Sequence, residues 1–337
     1  MSRITVLGAG AWGTAIALSL ANQDRHAVTL WAHRAETAEA LAHDRQNRRF
    51  LPGVSLPESI WITGDDAKVV AEAEILVCVV PSQFLRATIS RLAPHIHAGQ
   101  IVVSSTKGIE DHSFLRMTQV IESCLAETGL SLPVGALSGP SFAQEVAAGM
   151  PTAVTIAFAE SAVASAVQQA FSSPSLRLYT SEDMIGVELG GALKNVIAIA
   201  AGVLAGVGLG LNSSAGLITR GIAEITRLAV AAGGRRETLA GLSGVGDLVL
   251  TCTGSLSRNR SVGIELGRGR KLPEILAGLD GKVAEGVRTT RAALGLARSL
   301  GVEMPITSQM ELILDEGKDP REAIRDLMQR PGRPEED

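Results

Sequence analysis

Gly8-Ala9-Gly10-Ala11-Trp12-Gly13 is a G-x-G-x-x-G run. It follows the apolar stretch Ile4-Thr5-Val6-Leu7 and precedes a helix-forming segment, residues 14–20. A strand before and a helix after is the context in which such a loop cradles a dinucleotide. Gly8 allows a tight turn out of the strand. Gly10 lets a pyrophosphate approach the backbone, and Gly13 lets the helix pack close to the sheet. The helix N-terminus adds free N–H groups and a partial positive charge. The alternative is an ordinary glycine-rich turn.

NAD-specific folds place an Asp or Glu at the tip of the second strand, roughly 20 residues past the glycines, to hold the ribose 2′-hydroxyl. Here the tip reads Trp31-Ala32-His33-Arg34, and the first acid, Glu36, comes too late. An Arg at this place suits a 2′-phosphate, so NADPH is expected, or use of both cofactors with a lean to NADP. The alternative is a solvated Arg34.

Reactive groups recur further along. Lys107 opens Lys107-Gly108-Ile109-Glu110 after an apolar strand, at the sheet end where such folds bind ligands. Lys194, in Glu188-Leu189-Gly190-Gly191-Ala192-Leu193-Lys194-Asn195, stands at the start of the most apolar segment. Desolvation there would lower its pKa toward values useful in proton transfer. The two glycines are expected to clear space around it; the plain alternative is a lysine that snorkels to water. Asp247 is an acid in the glycine-rich, otherwise apolar run 242–251; the plain alternative is a helix cap. Ser257-Arg258-Asn259-Arg260 offers hydroxyl, guanidinium and amide donors that suit a phosphate, or form a solvated loop.

Placing such groups requires a scaffold. Strand-like runs occur at residues 3–7, 27–31, 59–63, 75–80, 101–105, 134–137, 152–157 and 176–179, with helical segments between them. Near-continuous apolar strands indicate a sheet covered on both faces and parallel in its first part. From about Asp183 the periodicity becomes helical, at 187–211, 214–232, 235–242, 262–268, 272–279, 288–300, 308–315 and 320–329. The expectation is an α/β Rossmann-type domain over 1–185, an all-helical substrate and catalytic domain over 186–330, and a frayed tail over 331–337. The cleft between the two domains is the expected site.

Composition narrows the classes. The chain has 31 basic and 35 acidic side chains, so no basic face points to nucleic acid. Cys78, Cys124 and Cys252 are far apart and show no metal-ligand spacing, so no metal is expected and a reducing, cytoplasmic compartment fits. A strand starting near residue 3 leaves no room for a signal peptide. The longest apolar run, 196–211, is shorter than a membrane span and reads as a buried helix. The alanine- and glycine-rich helices suit packing within one chain or across a homodimer.

Taken together, these blocks resemble the bacterial NAD(P)-dependent sn-glycerol-3-phosphate dehydrogenases. The matches are 8–14, Leu30-Trp31, 105–110, Ser138-Gly139-Pro140-Ser141-Phe142-Ala143, 188–195, 242–248, 257–260 and Glu285-Gly286, in family order over about residues 3–290. The lysine-asparagine and glycine-aspartate blocks are more specific than the glycine loop. The resemblance implies hydride transfer between NAD(P)H and C2 of dihydroxyacetone phosphate, giving the phospholipid precursor sn-glycerol 3-phosphate. It implies that Lys194 is the acid/base, and that Lys107, Gly139, Ser141, Asp247, Ser257, Arg258 and Asn259 contact substrate. It implies cofactor contacts from Ala11, Trp12, His33, Arg34, Lys107, Ala143, Arg258, Val283 and Glu285. It also implies a second domain like the helical domain of 6-phosphogluconate-type dehydrogenases. Two rivals share this outline: a β-hydroxyacid or 6-phosphogluconate-type dehydrogenase, and a non-catalytic NADP-binding sensor.

Overall fold

The computed structural model describes residues 2–279, 283–332, 334 and 335. Strands and helices alternate first: β1 (Ser2–Leu7), α1 (Ala11–Ala21), β2 (His26–Trp31), α2 (Ala35–Asp44), β3 (Ile60–Thr63), α3 (Asp66–Ala71), β4 (Ile75–Cys78) and α4 (Ser82–Leu92). They continue as β5 (Ile101–Ser104), α5 (Met117–Ala126), β6 (Val134–Ser138), α6 (Ala143–Ala147), β7 (Thr152–Ala157), α7 (Ser161–Phe171) and β8 (Leu176–Ser181). Each expected strand is present. The sheet order is β3-β2-β1-β4-β5-β6-β7-β8; β1 through β6 run parallel, and β7 is antiparallel to β6. β1 pairs with both β2 and β4, so the strand order reverses beside β1 and opens a crevice at the carboxyl ends of β1 and β4. The glycine loop leaves β1 at that crevice.

The remainder is helical: α8 (Met184–Val207), α9 (Leu211–Ala231), α10 (Arg236–Leu239), α11 (Asp247–Thr253), α12 (Arg258–Gly267), α13 (Leu272–Ala277), α14 (Glu285–Ser299), α15 (Pro305–Glu311) and α16 (Pro320–Met328). Pro305 and Pro320 sit at the first positions of α15 and α16, where a missing N–H costs nothing. Several boundaries differ from the periodicity reading, and the ends explain them. The Asp183 carboxylate accepts from Gly186 N at 2.8 Å, so α8 starts before Val187. Gly208, at φ 90°, ends it before Leu211. Ser257 caps α12 by accepting from Arg260 N, so the helix starts at Arg258, four residues before the expected 262. α11 was not expected: a π-helical turn, Leu242–Gly246, feeds it, and glycine-rich sequence hides the helix.

α8 is the axis of this half. It is long and apolar enough to cross a bilayer, yet every residue from Gly186 to Leu204 is buried among other elements. Its closest neighbour is α12, with which Gly202 and Gly206 interdigitate with Gly263 and Gly267. A Cβ on Gly202 would lie 2.8 Å from the Gly263 Cα, so any larger residue would separate the backbones. These glycine faces of α8 and α12 therefore pack against each other. At the C-terminus, Arg333, Glu336 and Asp337 lie outside the described residues, and the Arg220 guanidinium donates to the Glu335 carbonyl at 2.9 Å.

Candidate active site

The glycine loop turns as its sequence requires. Gly8 has φ 123°, a conformation that side chains rarely adopt. A Cβ on Gly10 would meet nothing within 4 Å, so its outer face is open to a ligand. A Cβ on Gly13 would overlap the Gly8 carbonyl, so Gly13 closes the loop on itself as well as bringing helix toward sheet. No side chain caps α1 and its first turn holds no acid, which leaves its leading N–H groups for an anion. Ala11 and Trp12 are half-buried in that turn, and the Trp12 indole donates to Ser105 Oγ at 2.6 Å.

His33 and Arg34 are exposed beyond the carboxyl end of β2, where Arg34 is the first residue before α2. The Arg34 guanidinium makes no hydrogen bond or ion pair among the described residues, so it is available to a phosphate. These residues fit a dinucleotide with a 2′-phosphate.

The reactive groups converge at the same edge of the sheet. Lys194 donates to Asp247 Oδ1, and Lys107 donates to Asp247 Oδ2 at 2.8 Å. Lys107 also reaches the Gly139 carbonyl at 3.4 Å. Asp247 is completely buried, so its charge is answered by these two ammoniums rather than by water. Burial pulls Lys194 down to about 7; Asp247 opposes that fall, and Lys107 adds to it. A buried amine near neutrality, with a carboxylate to orient it, is a competent proton donor and acceptor.

Two expectations about this centre change. Lys194 is not at the mouth of its helix but near the middle of α8, which begins at Met184. Gly190 and Gly191 do not leave room around the lysine. The Ser243 carbonyl fills the space at Gly190, 2.5 Å from where a Cβ would sit, and the Ser138 hydroxyl fills the space at Gly191. The glycines thus bring the π turn and the end of β6 against α8, which draws Asp247 and Lys107 to Lys194. Asp247 opens α11, but its carboxylate serves the lysines rather than a backbone cap.

The other predicted residues divide. Ser141 is half-buried and donates to the Gly139 carbonyl at 3.0 Å; Ala143, also half-buried, starts α6. Arg258 is exposed as a residue and has no hydrogen bond among the described residues; protein packed around its guanidinium pulls its pKa down, and the Glu285 carboxylate opposes that. Ser257 is occupied as a helix cap. Asn259 is turned inward: its amide donates to Asn195 Oδ1 at 2.9 Å, and its oxygen accepts from Gly286 N at 3.0 Å. In this structure Asn259 therefore ties α8, α12 and α14 together behind Arg258. Val283 is half-buried just before α14. Glu285 accepts from Ser82 N at 3.2 Å and Ser82 Oγ at 2.6 Å, joining α14 to the start of α4; burial pushes its pKa up.

Sequence reasoning missed three supports. Asn47 is buried and donates to the Ala9 carbonyl at 2.9 Å and to Thr14 Oγ1 at 2.8 Å, so it braces the glycine loop from outside. Its polar, aperiodic surroundings carry no signal. Ser82 follows Pro81 and leads a helix, a pattern that marks a helix start. Glu188 holds Arg116, Thr118 N at 2.8 Å and Thr118 Oγ1 at 2.7 Å, and so fastens the start of α5 to α8, six residues before Lys194. An acid in so apolar a stretch was the available sign. Among the described residues no cluster of His, Cys, Asp or Glu could hold a metal ion.

Known proteins share this arrangement. The profile described as NAD-dependent glycerol-3-phosphate dehydrogenase N-terminus matches residues 3–164, and that for the C-terminus matches residues 183–325. The glycerol-3-phosphate dehydrogenase [NAD(P)+] of Acidobacterium capsulatum is 59% identical over 99% of this chain and 100% of its own. That of Koribacter versatilis is 55% identical over 98% of each. The crystal structure of glycerol-3-phosphate dehydrogenase from Coxiella burnetii has a TM-score of 0.92 at 39% identity, covering 98% of this chain and 99% of that one. With both halves matched and full-length relatives above half identity, the chain belongs to the NAD-dependent glycerol-3-phosphate dehydrogenase family.

Proposed function

We propose that this chain catalyses the reversible reduction of dihydroxyacetone phosphate to sn-glycerol 3-phosphate, with NADPH or NADH. The observation that carries the reading is the buried Lys194–Asp247–Lys107 array at the carboxyl edge of a dinucleotide-binding sheet. The nicotinamide supplies hydride when bound. Lys194 hydrogen-bonds the substrate C2 oxygen, stabilises the negative charge that develops there, and gives it a proton. In the reverse direction the neutral amine takes that proton back. Asp247 holds the lysine in place. Arg258, which makes no hydrogen bond among the described residues, binds the substrate phosphate, with Lys107, Gly139 and Ser141 lining the approach and Asn259 holding the helices behind it.

Gly8, Gly10, Ala11, Trp12 and Gly13 receive the pyrophosphate, and His33 and Arg34 the 2′-phosphate. Ala143, Val283 and Glu285 close the cofactor site. The nucleotide domain runs to about residue 185 and the helical domain from 186 to 330. On this reading the product feeds glycerophospholipid synthesis. The three free, buried cysteines suit a cytoplasmic setting.

Absorbance at 340 nm, followed with dihydroxyacetone phosphate and each cofactor in turn, tests the reading. Turnover is expected with both cofactors, faster with NADPH at low concentration. Turnover of 2-keto acids but not of dihydroxyacetone phosphate would move the chain to the hydroxyacid dehydrogenases. No turnover of either would favour a sensor.

A further inference from the structure

We propose that Lys107 is a positioning residue that sets the proton affinity of Lys194, by competing with it for one buried carboxylate. The proposal rests on the reading of Lys194 as the acid/base. Asp247 is completely buried and gives one oxygen to each ammonium, with the Thr251 hydroxyl a longer donor to Oδ1 at 3.5 Å. One negative charge cannot neutralise two positive ones, so the cluster carries an excess proton at the least hydrated point of the site. Which lysine sheds it follows from their surroundings. The Lys107 side chain is 20% exposed and has a second acceptor in the Gly139 carbonyl. The Lys194 side chain is 8% exposed and, among the described residues, has Asp247 as its one acceptor. Lys107 thus has a second acceptor and partial access to solvent, and among the described residues Lys194 has neither to the same degree. The proton that leaves the cluster first is therefore the one on Lys194.

The remaining titratable groups do not alter this. Cys252, also on α11, is held neutral because burial pushes its thiol up to about 12. Arg260 of α12 bears on that thiol and not on Lys194. The charges that act on Lys194 are Asp247 of α11 and Lys107 beyond β5. A lysine that only touched substrate would not need to share this carboxylate.

The sign of the effect is fixed by the reaction. Oxidation of sn-glycerol 3-phosphate needs Lys194 as the neutral amine, so its kcat/KM rises as pH passes the Lys194 pKa. Without the Lys107 charge, Asp247 serves Lys194 alone, the ammonium is favoured, and the rising limb moves to higher pH. The test is kcat/KM for this oxidation from about pH 6 to about pH 10, in wild type, Lys107→Gln, Lys107→Arg and Lys194→Ala. Lys107→Gln is expected to move the limb up by at least about one unit. At pH 7 that lowers the neutral fraction from about a half to about a tenth, an approximately fivefold loss that disappears as pH rises. Loss of a substrate contact adds a drop that is constant with pH and so separable.

Lys107→Arg keeps the charge and should hold the limb within about half a unit of wild type. If Lys107→Gln does not fold, as judged by NADPH fluorescence, Lys107→Ala takes its place. The proposal is overturned if the neutral variant loses activity equally at all pH values, or if Lys107→Arg shifts the limb as far as the neutral variant does. A Lys194→Ala enzyme that keeps both its rate and its limb would instead overturn the assignment of Lys194.

Discussion

Two carboxylates in the helical half are wholly withdrawn from water, Asp247 and Glu224, and they are satisfied in opposite ways. Glu224 of α9 accepts from Ile306 N at 2.8 Å, Thr307 N at 2.9 Å and Thr307 Oγ1 at 2.6 Å, all at the start of α15. These hydrogen-bond donors are backbone N–H groups and one hydroxyl, and the charge that acts on the carboxylate is the Arg227 guanidinium; none of them titrates near neutrality. Burial pushes its pKa up against those donors. Asp247 instead faces two ammoniums, one of them held near neutrality. Burial is the same at both places. What separates a structural acid from one in a reactive centre is whether its partners titrate. The first locks one helix against another, and the second maintains a proton that can be moved.

The comparison breaks most directly at Lys194. Lys194→Ala should lower kcat by at least about 10²-fold while NADPH affinity stays near wild type. A kcat within a few-fold of wild type would make the Asp247 centre as structural as that of Glu224. The converse substitution, Glu224→Gln, sets an amide N–H against backbone donors. It should cost about 2 kcal/mol of stability, read as a lower urea midpoint, because hydrogen bonds to a charged group are lost. Its kcat per folded molecule should not change; a fall in kcat without a fall in stability would erase the distinction.

Arg258 sharpens the picture by asking whether charge outside the buried centre also serves the reaction. Arg258→Ala should cost at least about tenfold in kcat/KM for dihydroxyacetone phosphate, the equivalent of one charge-assisted bond. The loss with dihydroxyacetone, which lacks the phosphate, should be much smaller. Equal losses on both substrates would assign Arg258 to the fold or the cofactor. The smallest effect is expected at Arg34, where the partner phosphate is met in water. Arg34→Ala should raise KM for NADPH several-fold and leave KM for NADH almost unchanged. Equal changes for both cofactors would remove Arg34 from that role.

Local order alone determined much of this molecule. The eight strands were readable because each is a short apolar run between turn residues. The glycine loop was readable because strand, loop and helix are contiguous there. Lys107, Lys194 and Asp247 stood out because a charge within an apolar run is costly and so conspicuous. Other properties required the folded chain. The partnership of Lys194 with Asp247 spans 53 residues, and that of Lys107 with Asp247 spans 140. No periodicity records such pairs. The close packing of α8 on α12 also depended on distant contacts, where their glycine faces meet. Asn259 shows the limit most plainly. Its amide is a donor that suits a phosphate, and only the fold shows that it also donates to Asn195 and accepts from the Gly286 N–H. A side chain's capacity to bond is written in its type; which partner it meets is decided by whichever donor or acceptor the fold brings within three ångströms, roughly the reach of a hydrogen bond.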